Sequence, residues 1–390
     1  MKHSIIIAVS SLLLLSCSVP RESMKSLGDR VFTLADSQFK ILDSKLDADR
    51  FPRTVENGRL LDAPISWWCS GFVPGSLAYT YAYTQDPEML QLAVKNTQKL
   101  DSLFCGRYKT SHDVGFMTVC SYGKLYELGI CDTIPAMLGL AADKLASRFS
   151  PVTGTTRSWD FGKWKWPVII DNMMNLELLM EYGTPEQQKM AMSHADRTIE
   201  NHFRGDFTTW HVVDYSRKDG SVRRKQTHQG LNDDSAWARG QAWALYGYTM
   251  MSREASKKGY PEAAERYLSQ ARSVALMLLD RLPSDGIPAW DFDAPEPALR
   301  DASAAAVMAS AFVELSGLLP ERGLSRRCLK MARTQISTLA SSLYLAEPGE
   351  IGGFLLKHSV GNMPGGGEVD VPLTYADYYF LEAVYRYNRI

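Results

Sequence analysis

The chain has 390 residues, 45% of them hydrophobic and 22% charged, with 43 basic side chains against 44 acidic ones. That composition excludes disordered, collagen-like and disulfide-scaffold chains, and a net charge of −1 lacks the basic footprint of a nucleic-acid binder. Nine Trp, 18 Tyr and 14 Phe leave two readings of the aromatic excess: a large core, or ring platforms for a flat ligand.

In chain order, Met1-Lys2-His3 leads into an apolar run from Ile5 to Leu15. The run is shorter than the ~20 residues of a membrane-spanning helix and has the layout of an export leader. Leu14-Leu15-Ser16-Cys17 is similar to a bacterial lipoprotein cleavage site. It predicts a signal peptide over residues 1–16, a lipid on Cys17, an anchored place in the periplasm or at the cell surface, and one domain over residues 17–390. Cys69, Cys105, Cys120, Cys131 and Cys328 are odd in number and lack CxxC spacing, so buried free thiols are expected.

Helical periodicity then covers Ser76–Tyr83, Glu88–Phe104, Ile134–Phe149, Asn172–Tyr182, Pro185–His202, Ser235–Met251, Pro261–Leu282, Ala302–Ser316 and Leu324–Tyr344. Thr184-Pro185-Glu186 and Tyr260-Pro261-Glu262 read as helix entries, Gly183 and Gly259 as exits. Gly353–Lys357 is the best short strand candidate. Units of roughly thirty residues give about twelve helices in six pairs, as a solenoid or a closed toroid. Long loops carrying Trp, Asp, His and Gly suit convergence on one pocket, which favours an all-α toroid.

Four segments carry chemistry. Ser111-His112-Asp113-Val114-Gly115 reads as a turn, with Asp capping and Gly free to take unusual angles. In Trp159-Asp160-Phe161-Gly162-Lys163-Trp164-Lys165-Trp166, followed by Ile170-Asp171-Asn172-Met173-Met174-Asn175, Asp171 opens a helix. As an N-cap it would accept backbone amides and stay ionised. Closed over by indole and Met it would become an acid, and Asn175, one turn on, is placed to bond it. The third segment joins Trp210-His211-Val212-Val213 to His228-Gln229-Gly230, and the fourth is Asp233-Asp234-Ser235-Ala236-Trp237-Ala238-Arg239-Gly240-Gln241-Ala242-Trp243. Arg239 offers a fork for a carboxylate, and Trp rings offer faces to sugar C–H bonds. No HExxH, GxSxG, GxxxxGK[ST] or strand-borne GxGxxG occurs, so metal, serine-hydrolase, NTPase and dinucleotide chemistry lose support and no cofactor is expected.

These blocks, with the final Glu368-Val369-Asp370-Val371-Pro372-Leu373 and Tyr375-Ala376-Asp377-Tyr378-Tyr379, resemble the unsaturated glucuronyl hydrolases, glycoside hydrolase family 88. The resemblance implies an (α/α)6 barrel and removal of 4,5-unsaturated uronic acid from lyase-generated acidic disaccharides or oligosaccharides by hydration of the vinyl ether. It implies Asp171 as general acid/base and Asp113 as the second essential carboxylate. It also implies Trp67 or Trp68, Trp159, His211, His228, Gln229, Trp237, Arg239 and Trp243 as sugar contacts. Gly367 stands where members commonly carry Ser, in a loop next to the second sugar. Rival expectations are an unsaturated rhamnogalacturonyl hydrolase acting on pectin fragments and a glycan-binding lipoprotein without catalysis.

Overall fold

The computed structural model describes residues 22–106, 108–130 and 134–390. The leader, the lipidation site Cys17 and Cys131 lie outside the described residues. The helices are α1 (Met24–Asp43), α2 (Phe72–Thr84), α3 (Pro87–Gln98), α4 (Asp101–Cys105), α5 (Val114–Thr118), a π turn (Val119–Gly123), α6 (Lys124–Glu127), α7 (Ile134–Ala146), α8 (Asn172–Tyr182), α9 (Pro185–His202), α10 (Ala238–Lys257), α11 (Pro261–Arg281), α12 (Ala302–Leu318), α13 (Arg322–Leu339) and α14 (Thr374–Tyr387).

The α5–π–α6 stretch is one rod. With α2, α8, α10, α12 and α14 it forms an inner ring in which each rod packs on the next and α14 closes on α2. Helices α1, α3, α7, α9, α11 and α13 pack outside, which makes an (α/α)6 barrel. Inner helices are covered on every side and read apolar all round, as in α12 with Ala302 through Val313 buried. Outer helices bury one stripe, as in α13 with Leu324, Cys328, Ala332, Ile336 and Leu339. Caps set the starts: Asp86 accepts from Glu88, Thr184 and Gln187 form a capping box, and Asp301 accepts from Ser303. At one end of the ring Arg253 pairs with Glu177, Glu254 and Glu314, and Arg386 with Glu314 and Glu382, tying four inner helices together.

Connections divide sharply. Four inner-to-outer links take two or three residues, whereas most outer-to-inner links take twenty or more. The long links hold all the strands among the described residues: hairpin β1–β2 (Arg50–Glu56, Arg59–Pro64), hairpin β3–β4 (Phe149–Ser150, Thr155–Thr156), the antiparallel sheet β5–β6–β7 (Pro167–Ile169, Val212–Tyr215, Val222–Gln226) and hairpin β8–β9 (Ser359–Asn362, Gly367–Val371). They gather where the inner helices begin. The predicted strand Gly353–Lys357 is displaced: a 3-10 turn covers Glu350–Gly353, and only Leu356 makes a bridge, to Leu345. The Asp377 carboxyl takes the amides of Leu355 and Leu356 (2.9 and 2.8 Å), which removes them from any ladder. Cys69, Cys120 and Cys328 are buried free thiols as expected; Cys105 is free but exposed.

Candidate active site

Five of the six inner rods, all but α12, contribute lining residues before or within their first turn, so the site is built at the end of the ring where the inner helices begin. Their partial positive ends favour an anionic ligand. A cleft of about 350 Å³ opens there. Of the residues picked from sequence, Trp67, Trp68, Asp113, Trp159, Asp171, His228, Gln229 and Arg239 line it. His112, Phe161, Glu368 and Tyr375 line it too. All four lie within the segments that carry chemistry or the C-terminal block, where sequence alone does not separate them from packing residues. His211, Trp237 and Trp243 are buried behind the lining.

Asp171 precedes α8 but makes no side-chain cap bond. Its residue is 9% exposed, and its carboxyl is pushed up to about 7, chiefly by burial; Arg239 opposes the shift and Asp113 adds to it. The cap reading therefore loses to the acid reading. The Trp243 indole N–H lies beside this carboxyl without closing a hydrogen bond. Asn175 does not bond the carboxyl as expected. Its Nδ2 reaches the Asp171 backbone carbonyl (3.4 Å) and the His112 ring (3.3 Å), while its Oδ1 accepts from the Phe116 amide (2.7 Å).

Those bonds assign the histidine protons. Because Asn175 Oδ1 is an acceptor, its Nδ2 donates to His112 Nδ1, so the His112 proton sits on Nε2, 3.3 Å from Asp113 Oδ1. The amides of His228 and Gln229 donate to His211 Nδ1 (3.1 and 3.2 Å), so the His211 proton sits on Nε2, 3.6 Å from Asp171 Oδ2. Burial lowers the pKa of both rings, which keeps them neutral. Each Asp is thus faced by one neutral imidazole N–H. Ser111 Oγ donates to the second Asp113 oxygen (2.6 Å).

The helices bearing the two Asp meet at Gly115, where a Cβ would lie 2.5 Å from Asn175 Cα. Gly115→Ala is expected to force α5 from α8, costing about 1–3 kcal/mol and breaking the Asn175–His112 bond. Denaturation midpoints and turnover check this; an unshifted midpoint would rule it out.

Arg239 corrects an expectation. Both Nη groups are engaged: Nη1 donates to the Val360 carbonyl, Nη2 to the Gly361 carbonyl (2.7 Å), and Asp301 lies 3.5 Å away. The guanidinium is 4.5 Å above the Trp237 ring. Its two Nη groups are therefore committed to the hairpin rather than held free as a fork, while Nε keeps no partner and the charge borders the cleft. Trp237 is spent holding Arg239 and His211 (ring centroids 4.5 Å), and Trp243 packs on Phe116 and Tyr379 under the floor. Neither contacts the cleft. The rings that border the cleft are Phe161, exposed and stacked on the buried Trp159, with His228 tilted against both, and Trp67 under Arg53. Gln229 donates to the Gly361 carbonyl (3.0 Å), and Arg53 pairs with Glu368 (2.6 Å), so hairpins β1–β2 and β8–β9 roof the cleft together.

Aromatic faces for sugar rings around a carboxyl kept protonated near neutrality place the protein among the helical-barrel glycoside hydrolases. No family model matches the chain. It is 36% identical over 379 residues to the unsaturated glucuronyl hydrolase of Formosa agariphila, covering 94% of this chain and 92% of that protein. It is 31% identical to the unsaturated chondroitin disaccharide hydrolase of Streptococcus pneumoniae, covering 83% and 82%. The crystal structure of an unsaturated glucuronyl hydrolase specific for heparin superposes with a TM-score of 0.88 at 40% identity, covering 94% of this chain and 98% of that one. The chain belongs to the unsaturated glucuronyl hydrolases and is a glycosidase.

Proposed function

We propose that the enzyme releases 4,5-unsaturated uronic acid from the non-reducing end of lyase-generated glycosaminoglycan oligosaccharides. The observation that carries this is the buried Asp171 carboxyl, protonated up to about pH 7, because a proton delivered to carbon needs a strong acid that still holds it. Asp171 gives its proton to C4, and positive charge develops at C5, where the Asp113 carboxyl stabilises it. Water adds to C5 and returns a proton to Asp171. The C5 hemiketal then opens to a ketone, leaving C1 a hemiacetal that expels the remaining sugar as its alcohol. This differs from displacement at C1 by a pair of carboxyl groups. His112 Nε2–H orients Asp113, and His211 Nε2–H faces the acid from 3.6 Å without bonding it. Trp159, Phe161 and Trp67 flank the sugar rings, while Arg239 in the lining and the helix N-termini balance the uronate charge.

Unsaturated disaccharides from chondroitin, hyaluronan, heparin and pectin, followed by the ultraviolet absorbance of the conjugated double bond, test the proposal. Loss of absorbance on glycosaminoglycan disaccharides is expected. Turnover of the pectin fragment alone would assign a rhamnogalacturonyl hydrolase, and no turnover on any would refute the enzyme reading. The lipobox-like Leu14–Cys17 supports a lipid anchor on Cys17 in the periplasm or at the cell surface. Labelled palmitate should enter the wild type and not Cys17→Ser; equal labelling would refute it.

A further inference from the structure

Behind one wall of the cleft lies a second pocket of about 450 Å³. Two backbone segments form the wall, joined where the His112 amide donates to the Ser158 carbonyl (3.1 Å). Neighbouring residues along it divide between the two hollows: Ser111 and Trp159 line the cleft, Thr110 and Asp160 the second pocket. Four cations, Lys109, Lys144, Arg148 and Arg157, gather there around one carboxylate, Asp160. Asp160 takes Arg148 Nη1 (3.0 Å) and Arg157 Nη1 (2.8 Å) and is itself 56% exposed. Lys144 donates to the carbonyls of Gly106 (3.0 Å) and Tyr108 (3.4 Å). One carboxylate leaves the cluster well short of neutral, and the pocket walls weaken solvent screening of the excess. Tyr108, 52% exposed, adds an open ring to the lining.

We infer that this pocket is a second binding site for an acidic saccharide, separate from the cleft. The sulfate or carboxylate group enters the cation cluster, meeting Lys109, Lys144 and Arg157 in competition with Asp160, and a sugar face lies on Tyr108. Charge-assisted hydrogen bonds to Arg and Lys recognise the anion, and the aromatic ring distinguishes a saccharide from a bare ion. The assignment stands on these residues and not on the chemistry of the cleft.

The test uses the Asp171→Asn protein with its cleft filled by an unsaturated disaccharide, titrated calorimetrically at low salt with a saturated sulfated disaccharide. A second event at one per chain is expected, weakened tenfold or more by Lys109→Glu. No second event, or one unchanged by both Lys109→Glu and Arg157→Gln, would overturn the site. Equal affinity for inorganic sulfate would overturn the saccharide assignment. If the unsaturated disaccharide fails to bind, the cleft reading falls, and the second titration is still read on the empty protein by the same criteria.

Discussion

Asp171→Asn is expected to lower kcat/KM on an unsaturated disaccharide by about 10³-fold, the range lost with a general acid. Asn keeps the shape of the carboxyl but has no proton to deliver to carbon, so binding measured by titration should stay within a few-fold. Wild-type turnover should fall as pH rises through about 7, because the protonated form does the work. The variant also reports a cost paid by the folded state. Burial moves the carboxyl from 3.8 to about 7, about 4 kcal/mol at about 1.4 kcal/mol per unit. Between those pH values the folded state keeps a proton the unfolded state has lost, so this group's contribution to stability falls as pH rises across the window. Asp171→Asn should therefore be more stable than wild type near pH 8, by up to about 4 kcal/mol, with the gap closing towards pH 4. Denaturant titrations at both pH values check it. Full retained turnover would remove Asp171 from the chemistry, and a pH-independent gap would remove its raised pKa.

Arg239→Met should destabilise the protein by about 3–5 kcal/mol, the cost of breaking a buried ion pair by removing one partner. Met fills similar space but leaves the carbonyls of Val360 and Gly361 without donors and Asp301 without its cation. Hairpin β8–β9 then loses its tie to α10, and with it the placement of Gln229 and Glu368 in the cleft. KM should rise along with the loss of stability. Arg239→Lys keeps the charge but not the fork or its stacking on Trp237, so it should recover only part of both losses. A Met variant melting with wild type would show that the fork holds nothing.

What could be read along the chain was local periodicity and punctuation. Helices α8 and α9 begin and end where the spacing and the Thr184-Pro185 entry predict. Helix α3 stops early because the chain turns at Leu100, and Ser111–Met117 begins an inner rod rather than a turn alone. Asp171 stands out because its Trp- and Met-rich block could close over it, whereas Asp113 reads from its own segment as a turn residue and gains its role only through the family resemblance. The tasks of their neighbours were not legible: Trp237 and Trp243 flank Arg239 in sequence, but α10 enters the barrel there and buries both rings. Glu368 reaches the cleft through a backbone in the left-handed region (φ 56°), and the His112 tautomer rests on Asn175, 63 residues away. Such long-range relations leave no periodic trace.

The uneven lengths of the connections also separate two properties that evolution could otherwise change only together. Short links and the ion pairs of Arg253 and Arg386 with Glu177 and Glu314 hold the inner ring, while much of the cleft lining hangs on long links that enter and leave the same rim. The exposed tip Gly365–Gly366 of hairpin β8–β9 should accordingly accept a longer or more basic insertion without reshaping a single inner helix.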